Sequence, residues 1–101
     1  MAKFLVTYLH GDMAQERASI AAARRALVQW AARTGPALID AGAPIRSTIT
    51  LSRTGYRDDE NENPFLGWSV IDASDREAAV RLLQDHPLIA LGALLQISEP
   101  I

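Results

Sequence analysis

Phe65-Leu66-Gly67-Trp68-Ser69-Val70-Ile71-Asp72-Ala73, followed directly by Ser74-Asp75-Arg76-Glu77, is the stretch on which the fold class turns. The first nine residues are short and rich in aromatic and aliphatic types, as a strand requires. Trp68 and Val70 fall on one face and Ile71 on the other, so this strand is apolar on both sides and belongs at the centre of a sheet. Ser74 and Glu77 have the spacing of a capping box, which starts a helix reaching Asp85, and Pro87 ends it. A last strand follows from about Ala93 to Ser98, through Leu94, Leu95 and Ile97.

Working toward the amino terminus, residues 3–10 form a second two-sided apolar strand, with Phe4, Val6 and Tyr8 on one face and Leu5 and Leu9 on the other. Asp12 and Gln15 resemble a further capping box opening an Ala- and Arg-rich helix to about Arg33. Its stripe is Ile20, Ala23, Leu27, Trp30 and Ala31, spaced to pack on a sheet. Thr34-Gly35-Pro36 stops it. Ala37 to Ala41 reads as one further helical turn, and Ile45 to Ser52 as a half-exposed edge strand, because apolar and polar residues alternate there. Thr54 to Pro64, with Gly55, Pro64, two Asn and four acidic residues, reads as a mobile hairpin loop. The order strand, helix, strand, strand, helix, strand specifies an α+β, ferredoxin-like βαββαβ sandwich with a four-stranded antiparallel sheet.

A chain of 101 residues builds one core, so residues 1–101 are expected to be a single domain. Apolar residues make up 49% and charged residues 22%, a globular balance, while aromatics at 6% leave the core mostly aliphatic. Two helices cover one face of a sheet. The apolar residues on the other face of residues 4–9 and 66–71 therefore call for a second copy, and a homodimer is expected. Ten basic against twelve acidic residues give a net charge of -2, which offers no pull toward nucleic acid. The segment 66–71 distantly echoes an RNA-recognition strand but lacks its leading basic residue and its stacking aromatic at Val70. The absence of cysteine excludes disulfides, thiolate zinc sites and cysteine nucleophiles. The apolar run of residues 3–9 is too short for a signal peptide, and no stretch is long enough to span a bilayer. No membrane association and a cytoplasmic location are the expectation.

Candidate chemistry starts from two histidines. His86 continues the buried stripe Ala79, Leu82, Leu83 and emerges where the second helix meets the sheet. It is either a pocket acid or base, or a helix-end residue whose imidazolium favours the dipole or caps a carbonyl. His10 shares a strand face with Tyr8, as a pocket residue or as a plain loop-flanking one. One further histidine and no cysteine leave His10-Gly-Asp12 without a metal set, and no cofactor is expected. Asp40 serves as an orienting carboxylate for His86, or as a turn former before Gly42 and Pro44. Arg46, Tyr8, His10 and Trp68 are the candidate substrate contacts. Arg17, Arg24, Arg25 and Arg33 form either an anion-attracting patch or a solvated helix face.

Lys3-Phe4-Leu5-Val6-Thr7-Tyr8, Leu38-Ile39-Asp40-Ala41-Gly42-Ala43-Pro44, Gly67-Trp68-Ser69-Val70-Ile71-Asp72-Ala73 and Gln84-Asp85-His86-Pro87 followed by Gly92 together resemble the YCII-related domain family, close to its DGPF-type branch. The resemblance covers nearly the whole chain. It implies a ferredoxin-like dimer of the dimeric α/β-barrel kind that binds a small molecule, and, where catalytic, a His–Asp pair acting on a small aromatic or enolisable substrate, as in dehydrochlorinase-like lyases. This sequence differs in having Arg25 or a neighbour where such sequences often carry a helix-1 histidine, and His86 where they have Asp before Pro. A non-catalytic dimeric binding or accessory domain is the competing expectation, and a cofactor-independent monooxygenase of the same barrel class is a third.

Overall fold

The computed structural model describes residues 2–12, 17–58 and 65–101, without the side chains of 17–23 and 58. The chain runs β1 (Ala2–Leu9), α1 (Arg17–Thr34), a 3-10 turn (Gly35–Ala37), β2 (Leu38–Pro44), β3 (Ile49–Ser52), β4 (Gly55–Asp58), β5 (Phe65–Ala73), α2 (Arg76–Leu83), α3 (Pro87–Ala90) and β6 (Leu94–Ser98). Four strands form an antiparallel sheet in the order β2-β5-β1-β6, with β1 and β5 at its centre. The fold is α+β, and this strand order is compatible with a ferredoxin-like arrangement.

Alternation along the central strands divides the sheet into two faces. Phe4, Val6, Tyr8, Ile71 and Ala73 are buried on the side where α1, α2 and α3 pack, together with Trp30, Ala79, Leu83 and Leu88. The intervening residues lie on the uncovered side, where Leu5 pairs with Val70, Thr7 with Trp68 and Leu9 with Leu94. Both apolar faces expected from residues 4–9 are thus present in the register. The side chains of Ile20 and Ala23, and the Gln15 half of the first capping box, lie outside the described residues.

The second sheet strand is not where alternation placed it. Leu38–Pro44, expected to begin as a helical turn, is the strand beside β5, whereas Ile49–Ser52 pairs with Gly55–Asp58 in a separate two-stranded hairpin. The reason is visible at Gly42. Its φ is +73°, and a Cβ there would collide with the Trp68 carbonyl oxygen. β2 therefore reaches β5 through two register shifts and a backbone approach that only glycine permits, which erases any alternating signature. Within the regularly alternating residues 45–52, Ile49 and Leu51 are 61% and 80% exposed among the described residues. Part of the expected loop from Thr54 is strand β4, and residues 59–64 of it lie outside the described residues.

Helix ends follow local chemistry. Gly35, with φ +62°, closes α1 in the left-handed region, and the Thr34 hydroxyl donates to the Trp30 carbonyl at 2.7 Å. The cap of α2 is Asp75 rather than Ser74: its Oδ1 accepts from the Ala78 amide at 2.7 Å. α2 ends at Leu83, short of Asp85, and Pro87 is the first residue of α3 instead of a terminator alone.

Candidate functional site

A cavity of about 340 Å³ opens between α1, the β2–β5 edge of the sheet and α3. Leu27 and Trp30 come from α1, Leu38 from β2, Leu66 from β5 and Leu88 from α3, so its walls are largely apolar. Its volume is at the lower end for small-molecule sites. The polar groups that reach it are few.

At its base, Tyr8 on β1 and Ser69 on β5 meet because both belong to the helix-facing register of neighbouring central strands. The Tyr8 hydroxyl donates to Ser69 Oγ at 2.8 Å, and the Ser69 hydroxyl donates to the Ala41 carbonyl at 2.9 Å. This relay fixes both protons and ties β1 through β5 to β2. Burial pushes the Tyr8 hydroxyl above its usual pKa, and the bond to Ser69 opposes this only partly, so the phenol stays protonated.

His86 packs behind these groups, with ring centroids 5.0 Å from Tyr8 and 4.5 Å from Trp30. It is 1% exposed. Its Nδ1 accepts from the Leu88 amide at 3.1 Å, making the side chain the amino-terminal cap of α3. The expectation of an imidazolium at a helix carboxyl end is therefore corrected: the ring caps the start of the next helix, and a cap must be an acceptor. Burial lowers its pKa to about 4, so it is neutral near pH 7. With Nδ1 committed as acceptor, the single proton of the neutral ring sits on Nε2. That Nε2 is buried and has no hydrogen-bond partner among the described residues.

Tyr8 borders the cavity from the covered face, and Trp68, in the open-face register, borders it at the β2–β5 edge beside Gly42. His86 touches its Tyr8 and Trp30 walls from behind. Asp40, His10 and Arg46 are not part of the lining. Asp40 Oδ1 accepts from the Gly42 amide at 2.8 Å, the turn-forming role, and no hydrogen bond joins it to His86. The His10 ring donates from Nδ1 to the Gly11 carbonyl at 3.2 Å. Of the arginines on α1, Arg24 lines the cavity. Ser69 was not singled out from sequence, although a signal existed: it is the one hydroxyl in the inward register Gly67, Ser69, Ile71, Ala73. Among the described residues no group of three or more His, Cys, Asp or Glu is placed to hold a metal, and no helix is long and apolar enough to cross a membrane. Neither a family model, nor a curated protein, nor a solved structure matches the chain.

Proposed function

We propose that this protein is a small-molecule-binding domain of the YCII-like kind, a ferredoxin-like sandwich that pairs through the uncovered sheet face into a dimeric α/β barrel. One observation carries the binding assignment: an apolar cavity of about 340 Å³ whose base holds a fully ordered Tyr8–Ser69–Ala41 hydrogen-bond relay. With both protons committed within the protein, the relay holds the cavity base rigid, so a ligand enters a pre-formed apolar site. Chemical-shift mapping against a library of one-ring fragments tests it. Perturbations should cluster on Leu27, Trp30, Leu66 and Ser69, and a library that moves none of them overturns the assignment. The dimer rests on Leu5, Val70, Leu9 and Leu94 standing side by side on the open face. A light-scattering mass equal to one chain at micromolar concentration removes it.

A further inference from the structure

Among the described residues the cavity has no acidic wall, and one cation lines it. Arg24 is exposed at its edge, and no carboxylate among the described residues pairs with it. The interior offers nothing comparable to a negative charge. The Tyr8 proton goes to Ser69, the Ser69 proton to Ala41, and the nearby Gly42 amide to Asp40. The hydroxyls at the base present only lone pairs, which repel an anion, and the surrounding walls of Leu27, Trp30 and Leu88 suit an apolar end. An anionic group placed deep would also lose its hydration without a compensating donor. At the edge it keeps part of that hydration and meets a guanidinium, whose planar fork matches a carboxylate.

We infer that the cavity takes a small apolar carboxylic acid, hydrocarbon end inward against Trp30 and Leu88, carboxylate outward on Arg24. This rests on the binding assignment made above and adds the class of ligand. At roughly 30 Å³ for each water-sized group, the volume holds a body of ~11 non-hydrogen atoms, the size of a one-ring acid with a short side chain. Arg24 thus turns the arginine-bearing face of α1 from a merely solvated surface into the selective rim of the site.

The probes are 3-phenylpropanoate and its uncharged amide, titrated by calorimetry into the wild-type protein, Arg24→Gln and Arg24→Lys. On wild type the carboxylate should bind about 5-fold more tightly than the amide, with the gap narrowing at high salt because the pair is solvent-facing. Arg24→Gln should erase that gap and leave amide affinity unchanged, and Arg24→Lys should restore part of it. Equal binding of both probes to wild type, or a gap that survives in Arg24→Gln, overturns the carboxylate assignment while the cavity stands as a binding site. Binding of neither probe to wild type overturns it as well. Chemical-shift mapping with uncharged fragments then separates that outcome from failure of the cavity itself, since fragment shifts at Trp30 and Ser69 remain only if the cavity still binds.

Discussion

The two faces of the sheet are made by alternate residues of the same strands, yet Phe4, Val6 and Ile71 are at most 1% exposed while Leu5 is 44% and Leu94 61% exposed. One step along β1 separates a residue that holds the domain together from one that touches solvent. Polar groups follow the same division. The covered face encloses the Tyr8–Ser69 hydrogen bond and the His86 ring that caps α3, whereas the open face places Lys3 opposite Asp72 across the β1–β5 pair. Stability and the candidate site therefore belong to the first face, and the second leaves apolar side chains such as Leu5 and Leu94 in solvent.

The sharpest way to break this contrast is to shorten one side chain on each face. Phe4→Ala should cost about 3–5 kcal/mol, because it leaves a cavity in a close-packed core, and Leu5→Ala less than about 1 kcal/mol in the isolated chain. Urea unfolding at low protein concentration measures both. Equal costs would mean that the open face is already covered in solution.

Next in size is the acid response of the covered face. His86 titrates at about 4 when folded, against about 6.5 for an unperturbed histidine. Between those values the unfolded chain binds the proton and the folded chain does not, so stability falls as pH drops through that window, by roughly 3 kcal/mol in all. His86→Asn, which keeps the cap but cannot titrate, should lose that part of the slope when urea midpoints are compared at pH 7 and pH 4.5. An unchanged slope would show that the ring is not held neutral.

Smaller effects test the periphery. Asp75→Ala removes the side-chain acceptor for the Ala78 amide and should lower stability by ~1 kcal/mol, measured by thermal unfolding followed by circular dichroism. Leu51→Ser, on the projecting hairpin, should change it by no more than about 0.5 kcal/mol. A larger loss there would place the hairpin against a partner surface.

The central strands and both major helices were legible because burial there follows the period of the element: residues 4, 6 and 8 are inward, and so are 69, 71 and 73. β2 was not, because its pairing depends on a left-handed Gly42 and on bulges that no periodicity records. The site divides in the same manner. Tyr8 and His86 were found from their positions on apolar faces, and the structure brings them together. The orientation of His86 was not, since Pro87 at the first position of a new short helix converts a helix terminus into a helix beginning. Asp40 was paired with His86 on chemical type alone, and its oxygen is occupied by the backbone two residues on.

The sheet order also has a kinetic meaning. β1 lies between β5 and β6, so that Leu5 stands opposite Val70 on one side and Ser98 on the other. The second side of β1 (Ala2–Leu9) is completed only by β6 (Leu94–Ser98), the most distant strand of the sheet in sequence. Such distant pairings make folding slow relative to helix formation, and during synthesis the β6 side of β1 stays open until Leu94–Ser98 has emerged.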